Sequence, residues 1–223
     1  MAEARDDLDL APLRTELAAY GALVAARRIR PGDEAAFADP RPGARVEVRR
    51  ASGAARIAAR ALLDEFGADR SAPLPRSPSG APLWPAGIVG SLAHDEAFAV
   101  AAAARRGRVV GLGLDVEPAE PLPEEVVDIV LSETERRETG GDGVAQRLVF
   151  VAKEAVYKAT NPLDGLWLDF PDIEVRLAEG TAMLRDGRRL RLVPFAGERL
   201  IVVALMGEAG MSPLTAGRAT RDS

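Results

Sequence analysis

Cysteine is absent from the 223 residues, and histidine occurs once. The first absence excludes disulfide staples and thiolate metal sites, and the second excludes a multi-histidine zinc centre. Aromatic residues make up only 4% of the chain against a hydrophobic share of 47%, so the core must be built from small and aliphatic side chains. There is no surplus of positive charge either. The formal net charge is −5 and the pI about 5.2, which excludes a general polyanion binder and requires any basic site to be local. The longest apolar runs, 97–104 and 200–206, are far too short to cross a bilayer, and the N-terminal Met-Ala-Glu-Ala-Arg-Asp-Asp lacks the pattern of a signal peptide. The expectation is a soluble cytoplasmic protein with no nucleic-acid or membrane partner. Its length allows one large domain or two small lobes.

Periodicity then divides the chain. Leu8, Leu10, Leu13, Leu17, Tyr20 and Val24 predict helix through residues 1–30, broken by Pro31-Gly32-Asp33, with a loop running on to Pro42. A long helix is expected over 46–66, closed by Gly67. The proline-rich stretch 71–87 holds Arg76 and Trp84 and reads as an ordered, wrapping loop. Short strands at 88–94, 97–104 and 109–116 are expected to pair in series as a small sheet on that helix. Pro118, Pro121 and Pro123 mark a joint. Beyond it come a helix at 124–130, an N-cap at Ser132 with Glu135 three residues on, a glycine turn at 140–143 and a strong helix over 144–160 ended by Asn161-Pro162. Strands are expected at 166–170, 173–177, 189–193 and 200–206, and a disordered tail from Pro213. The halves share a layout of helix plus antiparallel strands, without a sequence repeat.

Two stretches carry chemistry. In Gly111-Leu112-Gly113-Leu114-Asp115-Val116-Glu117-Pro118, strand alternation turns Asp115 and Glu117 to one side and Leu114 and Val116 to the other. Such a pair is either two solvated acids before a turn or the oxygen ligands of a hard divalent cation. In Phe150-Val151-Ala152-Lys153-Glu154-Ala155-Val156-Tyr157-Lys158-Ala159, Glu154 and Lys158 lie four apart on one helical face. Alone this is an ordinary salt bridge, but beside Asp115 and Glu117 it offers a third carboxylate and a cation for a phosphate. Arg56 and Arg60 likewise share a face of the earlier helix, either a solvated basic stripe or a local anion site.

These residues resemble the signature motifs of the 4′-phosphopantetheinyl transferases, a G-x-D-x-E segment followed some forty residues later by W/F-x-x-K-E-A-x-x-K. Trp84-Pro85-Ala86-Gly87-Ile88-Val89-Gly90-Ser91-Leu92-Ala93-His94 resembles the W-P-x-G-x-x-G-S-[LI]-[ST]-H segment of the branch associated with enterobactin and surfactin synthetases. Arg56-Ile57-Ala58-Ala59-Arg60-Ala61-Leu62 resembles that branch's R-x-x-A-R-x-A-L helix. The matching segments span roughly residues 50–160 in the expected order. Two positions depart: Ala93 stands where a hydroxyl residue is usual, and Phe150 replaces tryptophan.

The resemblance implies an α+β monomer of two pseudo-related lobes, each a small antiparallel sheet on a long helix, with the active site between them. The lobes would be 1–117, carrying the nucleotide site and first metal motif, and 118–212, carrying the catalytic helix, with 213–223 as tail. By similarity Asp115, Glu117 and Glu154 hold Mg²⁺, with Mn²⁺ as a substitute, on the pyrophosphate of coenzyme A. Lys158 contacts that pyrophosphate, with Lys153 as a further candidate. His94, Arg56, Arg76 and either Arg49 or Arg50 hold the 3′-phosphate and adenosine, with Ser91 nearby. A serine of an apo acyl, polyketide or peptidyl carrier protein attacks the β-phosphate and releases 3′,5′-ADP. Glu154 is the candidate for activating the serine, and Asp115, Glu154 and Lys158 form the catalytic set. The implied setting is fatty-acid, secondary-metabolite or siderophore biosynthesis. Two alternatives stand beside this reading, a non-catalytic paralogue that binds coenzyme A or a carrier, and an unrelated metal-dependent phosphate-ester enzyme.

Overall fold

Small residues set the spacing of the first half. In this computed structural model, which describes residues 8–37, 43–78 and 80–207, β3 (Phe98–Arg105) is buried along all but its last residue. It is the middle strand of an antiparallel sheet ordered β1-β3-β2, with β1 at Ala22–Arg28 and β2 at Ile88–His94. A strand covered on both faces needs apolar side chains on both. Val100, Ala102 and Ala104 face the core shared with the second sheet, while Ala99, Ala101 and Ala103 face α2 (Val46–Glu65). With alanines on strand and helix alike, α2 lies close against the sheet.

The second sheet runs β4-β8-β7-β6-β5, all antiparallel, from β4 (Val109–Pro118), β5 (Ile173–Arg176), β6 (Thr181–Leu184), β7 (Arg189–Ala196) and β8 (Arg199–Gly207). On β8, Ile201, Val203 and Leu205 enter the core between the sheets. Leu200, Val202, Ala204 and Met206 point the other way, into a core shared with residues of α5 (Gly143–Asp164). The order of layers is therefore α2, first sheet, second sheet, α5, and β2 lies alongside β4 where the sheets meet. This is the mixed α+β arrangement of two antiparallel sheets, each carrying a long helix, that the sequence led us to expect.

Several elements differ from the sequence reading. The helix expected through residue 30 is only α1 (Ala11–Ala18); Gly21, with φ of +66°, turns the chain into β1. The 109–116 strand does not extend the first sheet, because both edges of β3 are taken by β1 and β2; it pairs with β8 from Gly111↔Met206 to Pro118↔Arg199. Helix α5 continues past Asn161-Pro162 to Asp164 and ends at Gly165 (φ +71°), since a proline in the last turn removes only one donor. Residues 166–169 are irregular rather than a strand, leading into a 3₁₀ turn at Phe170–Asp172, and β6 was not anticipated. Short helices α3 (Glu124–Val130) and α4 (Glu133–Thr139) stand as expected, α4 with a full capping box between Ser132 and Glu135. Residues 38–42 of the expected loop and the tail from Pro213 lie outside the described residues. No helix among the described residues is long and apolar enough to cross a membrane.

Candidate active site

Glycine brings the two chemistry-bearing stretches together. A Cβ at Gly113 would overlap the carbonyl oxygen of Ala155 and the amide nitrogen of Ala159, and one at Gly111 would lie 2.6 Å from the carbonyl oxygen of Ala159. Only the missing side chains let β4 run directly against the backbone of α5. Leu114 and Val116 are buried between the sheets, so Asp115 and Glu117 take the opposite face, toward α5. From that helix, Arg147, Glu154 and Lys158 present one face at spacings of seven and four.

The acids are held by cations from that face. Lys158 Nζ donates to Asp115 Oδ1 at 2.6 Å, and Arg147 Nη1 donates to Glu117 Oε2 at 2.9 Å. Arg147 also donates to the carbonyls of Glu120 and Pro121, each at 2.8 Å, pinning the chain as it leaves β4. The i,i+4 pairing expected of Glu154 and Lys158 is replaced by this cross-element bond, although Glu154 still feels the Lys158 charge. All three carboxyls have pKa values above their ordinary range. Burial is the first cause in each case. For Glu117 and Glu154 the next cause is repulsion from Asp115, while Lys158 or Arg147 pulls the other way.

This donor set suits a hard divalent cation: three anionic oxygens, partly stripped of water and repelling one another. It is not a finished cage, because no three acidic or histidine side chains among the described residues already converge on one point. Two of the three are instead engaged by Lys158 and Arg147, so a metal has to compete with those cations.

Beside the acids opens a cleft of about 580 Å³, bounded by α2, Arg76, the 80–94 segment, β4 and the last turns of α5. Its basic lining is Arg56, Arg76, His94, Arg106 and Lys158, and no carboxylate among the described residues lines it. Arg56 is buried; it donates through Nε to the Leu74 carbonyl at 2.9 Å and through Nη1 to Ser52 Oγ at 2.6 Å. Arg76 reaches the same Ser52 hydroxyl at 3.5 Å. Ser91 is buried in the cleft wall, and His94, at the exit of β2, opens onto it. His94 keeps an exposed edge, but partial loss of solvent around its ring lowers its pKa, and the charges of Lys158 and Arg76 lower it further. Trp84 lies over Gly90, and its buried indole Nε1 has no hydrogen-bond partner among the described residues. The cleft is thus built for a ligand that brings negative charge and acceptors.

Three expected residues lie elsewhere. Arg49 and Arg50 sit in the first turns of α2 and do not line the cleft; Arg50 is paired with Glu34 at 3.1 Å. Lys153 departs most clearly from a cofactor contact. Next to Glu154 but 100° around the helix, it is 1% exposed, with Nζ paired to Glu135 at 2.7 Å and donating to the carbonyls of Val130 and Phe170. It lines a smaller recess of about 150 Å³ on the other flank of α5, together with Glu154, Tyr157, Trp167 and Phe170. Sequence reasoning missed Arg147 and Arg106. For Arg147 the signal was present, seven residues before Glu154 and eleven before Lys158. For Arg106, placed by a turn between strands of different sheets, there was none.

Comparison with known proteins agrees with this arrangement. A family model described as the 4′-phosphopantetheinyl transferase N-terminal domain matches residues 39–104, and one for the 4′-phosphopantetheinyl transferase superfamily matches residues 111–198. The chain is 40% identical over 169 residues to 4′-phosphopantetheinyl transferase Svp of Streptomyces mobaraensis, covering 67% of this chain and 68% of that protein. It is 40% identical over 138 residues to 4′-phosphopantetheinyl transferase Npt of Nocardia iowensis, covering 60% and 62% respectively. Against 4′-phosphopantetheinyl transferase PptT of Mycobacterium tuberculosis it is 39% identical over 124 residues, 54% of each chain. On these matches, which run through both sheets and both long helices, the chain belongs to the 4′-phosphopantetheinyl transferase superfamily.

Proposed function

We propose that this protein transfers 4′-phosphopantetheine from coenzyme A to a serine of an apo carrier protein, releasing 3′,5′-ADP. One observation carries the reading. In a chain of net charge −5, the 580 Å³ cleft is lined, among the described residues, by five basic groups and no acidic one. Such a local reversal of charge fits a ligand with several phosphates.

In this reading Arg56, Arg76 and His94, with Ser91 beside them, hold the 3′-phosphate and adenosine, and Lys158 meets the pyrophosphate. A phosphate there favours protonation of His94, so binding is accompanied by proton uptake. Asp115, Glu117 and Glu154 would hold Mg²⁺, or Mn²⁺ in its place, which supplies charge neutralisation at the pyrophosphate. The recess lined by Tyr157, Trp167, Leu168 and Phe170, with Lys153 and Asp169 also on its wall, adjoins Glu154 and offers apolar surface to the pantetheine arm. The reacting phosphorus then lies beside Glu154, between the two ends of the ligand.

The carrier serine Oγ bonds to the β-phosphorus, and the bond from that phosphorus to the bridging oxygen breaks. The departing 3′,5′-ADP keeps the electron pair. The serine proton passes to Glu154, directly or through water. The chain contributes positioning and charge and needs no nucleophile of its own. The functional division between lobes falls at Glu117–Pro118, where β4 ends and the chain crosses to the helices of the second half. Incubation with coenzyme A, Mg²⁺ and a panel of apo carriers should add one phosphopantetheine mass to at least one carrier class. No mass gain across acyl, polyketide and peptidyl carriers would overturn the proposal.

A further inference from the structure

We infer that Asp95 and Arg199 are a positioning pair, a directional latch between the two sheets that sets the nucleotide side of the cleft against its carboxylate side. Asp95 directly follows His94, in the turn between β2 and β3. Its Oδ1 accepts from the amides of Ala97 at 2.7 Å and Phe98 at 2.6 Å, and its own amide donates to the Phe98 carbonyl at 3.0 Å. The turn is therefore fixed to its own carboxylate. The second oxygen, Oδ2, is bound by Nε of Arg199, the first residue of β8.

Both partners are enclosed, with side-chain exposures of 4% for Asp95 and 16% for Arg199. The Arg199 guanidinium carbon lies 4.9 Å from the centroid of the buried Phe98 ring, which also carries Arg28 at 4.5 Å. In register, Arg199 stands opposite Pro118 and Leu200 opposite Glu117. One ion pair thus ties the residue after His94 to the start of β8, which pairs with the end of β4 that carries Glu117.

The hydrophobic force between the sheets has no preferred direction of its own. A charged hydrogen bond does have direction, and partly buried it is stronger than a solvated one. Its role here rests on the proposed function: a ligand gripped at one end by Arg76 and His94 and at the other by Lys158 spans both sheets and needs them in register.

The test uses Arg199→Met, which keeps the stem on Phe98 but removes the charge; Asp95→Asn, which keeps the turn acceptor; and Arg199→Lys, which restores the pair. Metal-free calorimetry compares coenzyme A, which spans the sheets, with adenosine 3′-monophosphate, which engages only the first. The expected result is a rise of about tenfold in the Kd of coenzyme A for Arg199→Met and for Asp95→Asn. For Arg199→Lys that Kd should stay near the wild-type value. The Kd of adenosine 3′-monophosphate should change by less than about twofold throughout. The double variant should be no worse than either single one. Equal weakening of both ligands, or none, would overturn the latch. His94 is the only histidine, so its ring signals in NMR give a reading without ligand. They should move in Arg199→Met and return in Arg199→Lys; unmoved signals would also overturn the latch. If the wild-type protein binds no coenzyme A even with Mg²⁺ added, the functional reading fails, and the His94 signals still decide the latch.

Discussion

Gly113→Ala adds one methyl group where β4 and α5 are closest, and its effect separates positioning from stability. The new Cβ would lie 2.9 Å from the carbonyl carbon of Lys158 and nearer still to the Ala155 oxygen and Ala159 nitrogen. All three are helix backbone, so no rotamer change relieves the overlap. Carbon contacts settle at about 3.5–4.0 Å, which requires α5 to withdraw from β4 by about 1 Å. Overpacking of this kind costs about 1–3 kcal/mol, which a domain of ordinary stability, about 5–15 kcal/mol, survives. The catalytic cost is expected to be larger in effect. Asp115 rides on β4 while Glu154 and Lys158 ride on α5, and a misplacement of about 1 Å can lower a rate about 100-fold. The paired assays are urea unfolding and kcat/KM for carrier modification. Gly111→Ala is the graded control, because its one backbone overlap, the Ala159 oxygen at 2.6 Å, is milder than the 1.9 Å contact at Gly113 and its next contact, Leu163 Cδ1 at 3.1 Å, can turn away; its loss should stay below about tenfold. A folded Gly113→Ala protein with wild-type kcat/KM would refute the argument that glycine sets the β4–α5 distance for catalysis.

Two further outcomes follow from the burial of charge. Lys153→Met should lower unfolding free energy by about 3–5 kcal/mol, because it leaves Glu135 buried without its cation, while the Kd for coenzyme A stays unchanged; wild-type stability with weakened binding would return Lys153 to the cofactor site. Metal-free protein should gain stability from Glu154→Gln near neutral pH and lose that gain as pH falls toward 4. The sign follows from the folded pKa of Glu154 lying above the unfolded value of about 4.3: the strain of the ionised form is fully present above the folded pKa and absent below the unfolded one. Urea midpoints of both proteins across pH 4–8 check this, and a difference that does not change with pH would contradict it.

How far the sequence was legible depends on whether a signal was local. The alternation at 114–117 placed Asp115 and Glu117 on one face because strand periodicity is set by the backbone itself. Helix α2 with Gly67 behind it, and the capping box at Ser132, were equally local and stand where they were expected. The partner of β4 was not legible. Its sequence neighbours suggested the first sheet, but the free edge belonged to β8, some ninety residues on, and long-range pairing leaves no mark in a local pattern. Lys153 and Glu154 are adjacent in sequence and border the same recess, yet Lys153 is buried against Glu135 while Glu154 lies within reach of the charges of Asp115 and Lys158, a difference only the packed helix shows. Arg147 illustrates the reverse: its seven-residue spacing from Glu154 was available, but an arginine at that distance gains meaning only once Glu117 lies opposite.

The central claim is that Asp115, Glu117 and Glu154 form a cation site that completes the cleft for coenzyme A. Electron paramagnetic resonance of Mn²⁺ titrated into the protein with and without coenzyme A tests it most directly. Wild type should bind one Mn²⁺, more tightly with coenzyme A present, and Asp115→Ala should lose that binding while keeping its fold. Unchanged Mn²⁺ binding in folded Asp115→Ala would contradict the account.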